Sequence, residues 1–168
     1  MVNIETKVKL NNLDVAQKEV SSFASYVGNL IQKDSYFIVG NKRLKTREEP
    51  EQFELIYYDR PDTLKSKDSH YFIYHYDKPL FWIVKNILRM FLGTKKIVEK
   101  ERYLYVYKNT RIHLDRVKNL GAFLELETVV KDSRRYDDFK KEHDEVISRL
   151  HLGAMEKISV SYSDLVTA

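Results

Sequence analysis

Glu125 and Glu127 stand two residues apart in Gly121-Ala-Phe-Leu-Glu-Leu-Glu-Thr-Val-Val130. In a strand, residues two apart share a face, about 7 Å apart along the chain. Carboxylates so spaced can share a hard cation such as Mg²⁺ or Mn²⁺. Just upstream, Arg111, His113 and Asp115 alternate with Ile112 and Leu114 in the same way. One face of this pair of strands is oily and the other is charged. The plain alternative is a solvated strand face, since a Glu-x-Glu pair is common.

The pattern recurs with positive charge. Arg43, Lys45 and Arg47 fall on one side of a short strand. Three cations on one face repel each other unless an anion sits among them; the competing reading is an edge strand blunted by charge. Lys100 and Arg102 share a face with Val98 and Leu104, Tyr58 with Arg60, and Lys67 with Ser69 and Tyr71.

The elements that position these groups follow from periodicity. Residues 2–10 alternate, with Asn3, Glu5, Lys7 and Lys9 on one face; only Thr6 interrupts the oily side. A helix is expected from Asp14 to about Gln32, with Val15, Val20, Phe23, Val27, Leu30 and Ile31 as its apolar stripe and Gly28 weakening its last turns. Strands are expected at 33–39, 42–48, 53–60, 66–76 and 95–108, followed by two more in 111–130. Between them, Leu80, Ile83, Val84, Ile87, Leu88 and Phe91 follow helical spacing, opened by Pro79 and stopped by Gly93. That helix is apolar over a wide arc. Packing across a sheet is one reading, and a membrane-surface or partner helix is the other. A sparsely apolar outer helix is expected over 134–150 and a short helical turn at 161–165.

The 168 residues are read as one domain, 1–168, large enough for a real core. Net charge is +4 from 29 basic and 25 acidic side chains, too balanced for a nucleic-acid partner. The absence of cysteine excludes disulfides, thiolate catalysis and Cys-ligated zinc. With no signal-like N-terminal run and no 18-residue apolar span, a cytoplasmic protein with no membrane partner is expected. The fold class expected is α+β: an eight-stranded antiparallel sheet with flanking helices. If that sheet closes, its charged faces line one tunnel. Many cations and few carboxylates then suit a polyanion and its metal.

The order and spacing of these segments resemble the CYTH superfamily, or triphosphate tunnel metalloenzymes. Asn3-Ile-Glu5-Thr-Lys7 is similar to the Glu-x-Glu-x-Lys signature, with Asn3 in the first position. Asp34-Ser-Tyr-Phe37, Arg43-Leu-Lys-Thr-Arg47, Leu55-Ile-Tyr-Tyr-Asp-Arg-Pro-Asp62, Arg111-Ile-His-Leu-Asp115, Leu120-Gly-Ala-Phe-Leu-Glu-Leu-Glu127 and Ser161-Tyr-Ser-Asp-Leu165 look most like the class IV adenylyl cyclase branch. The resemblance implies a closed eight-stranded β-barrel around a triphosphate. It implies Mg²⁺ or Mn²⁺ on Glu5, Glu125 and Glu127. Lys7, Lys45, Arg47, Arg60, Lys67, Lys100, Arg102 and Arg111 would hold phosphate oxygens. Glu5, Lys7, Arg60, Arg111 and Asp115 would serve catalysis, Asp115 as a base or second-metal ligand. A homodimer is compatible with the family.

Three functions follow from it. A cyclase would convert ATP to cyclic AMP and pyrophosphate. A triphosphatase would hydrolyse tripolyphosphate, a nucleoside triphosphate or thiamine triphosphate. A binding protein would hold the triphosphate without turnover. Asn3 cannot accept a proton at neutral pH, which harms water activation more than attack by the substrate's own hydroxyl.

Overall fold

The computed structural model describes residues 2–40, 42–59 and 70–166. Eight strands form one antiparallel sheet: β1 (Val2–Leu10), β2 (Ser25–Phe37), β3 (Arg43–Glu48), β4 (Phe53–Asp59), β5 (His70–Tyr76), β6 (Thr94–Tyr107), β7 (Thr110–Val117) and β8 (Gly121–Val130). Their spatial order is β1-β8-β7-β6-β2-β3-β4-β5. Four helices accompany them: α1 (Leu13–Ser21), α2 (Lys78–Leu92), α3 (Tyr136–Arg149) and α4 (Tyr162–Leu165).

The sheet is antiparallel because most of its connections are tight. Tyr107 pairs with Thr110, so β6 and β7 meet through two residues, with Lys108 left-handed at φ 52°. Between β7 and β8 the chain turns at Asn119 (φ 65°) and reaches Gly121 at φ 99°, a conformation that glycine adopts without a Cβ clash.

The oily faces of β1, β7 and β8 look outward, under two helices. Val8, Ile112, Leu114, Leu124 and Leu126 pack there with Leu13, Ala16 and Val20 of α1 and with Val146 of α3. Thr6 belongs to this layer as well. Its hydroxyl lies 2.9 Å from Nε2 of buried His143, whose Nδ1 lies 2.8 Å from the Thr128 hydroxyl. The apparent break in the oily side of β1 is therefore a polar pair with α3. With its apolar face under helices, the sheet turns its charged face to the concave side.

Two expectations change. The helix drawn from 14 to 32 ends at Ser21, and β2 begins at Ser25. Its apolar stripe is complete at Leu13, Ala16 and Val20. The Ser21 and Ser22 hydroxyls then donate to the Gln17 and Glu19 carbonyls, each at 2.7 Å, offering the backbone a way out of the helix. Beyond that point β6 supplies partners from Ser25 to Phe37, with a shift of register between Tyr26 and Gly28 that leaves Val27 outside the ladder. The expected closed barrel is also modified: among the described residues the hydrogen-bonded sheet ends at β1 and β5. The edge of β1 is instead met by the C-terminal segment. Val8 bridges Lys157, and the Ile158 N–H donates to the Lys7 carbonyl at 2.8 Å.

Candidate functional site

Within the curve of the sheet lies a cavity of about 860 Å³. Strand parity brings six of the eight expected phosphate-binding residues to its wall: Lys7 from β1, Lys45 and Arg47 from β3, Lys100 and Arg102 from β6, and Arg111 from β7. Arg60 and Lys67, the other two, lie outside the described residues. Glu5, Glu125 and Glu127 line the same cavity, together with Asn3 and His113.

Two buried aspartates hold the cations in place. Asp34 of β2 accepts from Lys45 Nζ at 2.6 Å and from Arg47 Nε and Nη2 at 2.8 and 2.9 Å. Asp115 takes a bidentate pair from Arg102, both bonds at 2.7 Å, with Lys100 Nζ at 3.7 Å and the Tyr162 hydroxyl donating at 2.8 Å. Burial works against the charge of both carboxyls, but the surrounding cations overcome it and hold them well below the ordinary range. Asp115 is fully buried and is not among the residues that line the cavity.

The lysines respond in the opposite sense. Burial, and then the neighbouring Arg102, push Lys100 down to about 7. Burial and Arg47 push Lys45 down to about 8. Burial is the larger cause for both lysines, and the neighbouring arginines add to it against the pull of Asp34 and Asp115.

The acidic side is built across β1 and β8. Glu5 pairs directly with Glu127, and Lys7 with Glu125. Like charges directly opposite each other cost stability. The Glu127 carboxyl is pushed up by burial and by Glu125 and Glu5, against the pull of Arg111 at 3.4 Å. Glu125 is turned to Arg102 at 3.0 Å and Lys7 at 3.5 Å. His113 stands 3.8 Å from Glu125, and burial and Arg102 lower it to about 4, which keeps it neutral.

Asn3 Nδ2 donates to Glu127 Oε1, and its buried carbonyl oxygen meets no partner among the described residues. An orphaned carbonyl beside two facing carboxylates is a donor set of the hard, all-oxygen kind that Mg²⁺ and Mn²⁺ take. Of the expected set Glu5, Glu125 and Glu127, Glu125 is engaged by Arg102 and Lys7, so the residues present fit such an ion through Glu5 and Glu127 with Asn3 beside them. As they stand, no three His, Asp or Glu side chains among the described residues converge to hold one.

The rest of the wall is mixed, with Gln32 donating to Glu49 at 2.6 Å, and Gln52 beside Glu54, on its polar part. Leu30, Ile56, Phe72, Ile73 and Leu104 line the cavity from β2, β4, β5 and β6. Tyr36 and Tyr162 of the wall belong to a second apolar cluster with Val98, Val117 and Phe123, Tyr162 being carried in by α4. Lys7 and Lys100 lie over the Tyr162 ring, at 4.5 and 5.3 Å from its centroid.

A family model described as the CYTH domain matches residues 1–162. The chain belongs to the CYTH family. No curated protein matches this CYTH chain. Among solved structures, a protein from Pyrococcus horikoshii OT3 superposes with a TM-score of 0.84 at 22% identity, over 98% of this chain and 99% of that one. A proposed adenylate cyclase from Vibrio parahaemolyticus reaches 0.77 at 15% identity, over 98% and 97%. A chain of the Schizosaccharomyces pombe Mediator head module reaches 0.66 at 9% identity, over 94% and 98%. At such identities the likeness is one of fold, and the chemistry has to be argued from the CYTH cavity itself.

Sequence reasoning missed Asp34 and Tyr162. Asp34 shares parity with Tyr36 in the expected strand 33–39, but only the pairing of β2 with β3, which sets Asp34 opposite Arg47, shows what it holds. Tyr162 had no signal beyond its place in the C-terminal motif.

Proposed function

We propose that this CYTH protein binds the triphosphate of ATP in the cavity and converts it to cyclic AMP and pyrophosphate. The observation that carries the reading is the crowd of buried cations on Asp34 and Asp115. Lys45, Arg47, Lys100 and Arg102 are fixed before any ligand arrives, and both lysines are lowered by burial first and by a neighbouring arginine second. A polyphosphate gives these buried cations charge-assisted hydrogen bonds in place of the water they have lost. The apolar wall of Leu30, Ile56, Phe72 and Ile73 supports a substrate with an organic group, because a bare tripolyphosphate has no use for it.

In the reaction the 3′-hydroxyl oxygen bonds to the α-phosphorus as the bond from that phosphorus to the bridging oxygen breaks. The hydroxyl proton is released and the electron pair leaves with pyrophosphate. Lys45, Arg47, Lys100 and Arg102 hold the chain of phosphates in line and neutralise the leaving pyrophosphate. Arg111 and Lys7 stand across the cavity, each beside a glutamate, and can turn to the phosphates when the ligand competes. Asp115 acts as a positioning residue, because its carboxylate is saturated by Arg102, Lys100 and Tyr162. Mg²⁺ or Mn²⁺ on Glu5, Glu127 and Asn3 would supply Lewis-acid neutralisation of phosphate charge. No attacking water is required, which agrees with Asn3 in place of a carboxylate.

The deciding experiment incubates the protein with ATP, GTP, tripolyphosphate and thiamine triphosphate, each with Mg²⁺ and with Mn²⁺. Cyclic AMP with pyrophosphate is the expected product. Orthophosphate without a cyclic product replaces the reading with hydrolysis, and tight binding with no product reduces it to a binding protein. Binding itself has a signature. At pH 8, Lys100 and a share of Lys45 are neutral, and a phosphate restores their charge. Calorimetry in buffers of different ionisation enthalpy should find protons taken up at pH 8 and almost none at pH 6.

A further inference from the structure

Helix α2 is apolar on both of its faces. The inner face is a narrow stripe: Phe81 is fully buried, 4.9 Å from the Phe53 ring, and Val84, Leu88 and Leu92 are partly covered. The outer face carries Leu80, Trp82, Ile83, Ile87, Met90 and Phe91, all exposed, with Met90 at 72% and Phe91 at 74%. Positions 80, 83, 87 and 90 recur at helical spacing and form one continuous band. Leu80, Ile83, Ile87, Met90 and Phe91 lie within one arc of the helix, and a contiguous exposed apolar patch of this kind marks an interaction surface. A helix apolar all round is ordinarily covered on every side.

Charge says what covers it. From Lys78 to Lys96 the chain carries Lys78, Lys85, Arg89, Lys95 and Lys96 and no acidic residue. Lys85 is bonded to Glu48, whereas Lys78, Arg89 and Lys95 are exposed and make no ion pair among the described residues. Asp77, at the N-cap, spends its carboxylate on the Leu80 N–H. A second copy meeting this face around a two-fold axis would lay one basic array against the other. An anionic lipid surface instead meets both demands: acyl chains for the apolar band, and head groups for its basic flanks. Trp82 has the amphipathic ring favoured at such a boundary. The 15-residue helix is too short to span, so it would lie in the surface.

We infer that α2 is a docking surface for an anionic membrane, on which the protein rests while its cavity stays in water. The sequence left a membrane-surface helix as the second reading of this segment, beside packing across the sheet. The exposure of its outer face favours that second reading.

The full chain should be sedimented with vesicles of phosphatidylcholine, and with vesicles about a third phosphatidylserine. It is expected to bind only the anionic vesicles and to release as salt rises. Trp82, the single tryptophan, should shift its emission to shorter wavelength. Met90→Asp should abolish binding. Charge reversal at Lys78, Arg89 and Lys95 together should weaken it at least about tenfold, with melting temperature and triphosphate affinity unchanged in both variants. Equal binding to neutral vesicles, or no binding to either, overturns the inference. So does a solution dimer that Met90→Asp dissociates.

Discussion

Asp34 and Asp115 set the character of the cavity although neither is a phosphate ligand. Each is buried at 2% exposure or less and accepts from an arginine in a fork geometry. Removing one partner of such a buried pair typically costs about 3–5 kcal/mol, because the other charge is stranded. Asp34→Asn should therefore lower the urea midpoint at pH 7. It should also drop the proton affinity of Lys45 further, which proton uptake on tripolyphosphate binding would register as a larger value near neutrality. Asp115→Asn should weaken triphosphate affinity through a displaced Arg102. If Asp115 instead served as a base, the rate would collapse with binding intact, so the split between KM and kcat tests its role. The lysines add an opposed pair of pH effects. An unfolded lysine titrates near 10.4, above the values of about 7 and 8 for Lys100 and Lys45. Between those limits the unfolded chain binds more protons, so stability from these groups rises with pH as triphosphate affinity falls. Urea melts and binding isotherms at pH 7 and 9 should move in opposite directions.

At the scale of elements, period-two alternation made most of the site legible. Lys7, Lys45, Arg47, Lys100, Arg102, Arg111, Glu5, Glu125 and Glu127 reach one cavity because strand faces are fixed by parity. What alternation could not convey was the partner of each face. Thr6 looked like a flaw until α3 brought His143 against it, and β2 passed for helix because only pairing with β6 makes Ser25–Gln32 extended. Burial, with Lys140 and Lys157 nearby, lowers His143 to about 4. Its neutral form is the folded one, so stability is undiminished above the unfolded value of about 6.5 and is lost as pH falls from there toward 4. The loss is on the order of 3 kcal/mol by pH 4. Urea melts at pH 7 and 4.5 should show it, and His143→Gln should flatten the difference.

Over the whole molecule, the sheet curls without sealing itself by hydrogen bonds among the described residues, and the C-terminal segment ties its two sides. That segment meets β1 at Lys7 and Val8. It donates through Tyr162 to β7 and receives Arg43 of β3 on Ser161 and Asp164 at 2.6 and 3.0 Å. A tunnel read from charge patterning is thus a curved sheet closed partly by a strap, which no strand period announces. Tyr162→Ala should empty the space beside Phe123, 5.0 Å away. It should cost about 3–5 kcal/mol in denaturant melts and lower the affinity for tripolyphosphate.

The strap also orders events in time. During synthesis β1 leaves the ribosome well before its hydrogen-bonding partner β8, which lies more than a hundred residues downstream, and the segment that covers its other edge emerges later still. Until then Asn3, Glu5 and Lys7 belong to an unpaired ribbon, so competence to bind arrives in a single late step. A nascent chain stalled before Lys157 would hold most of the cavity's charges and little of its grip.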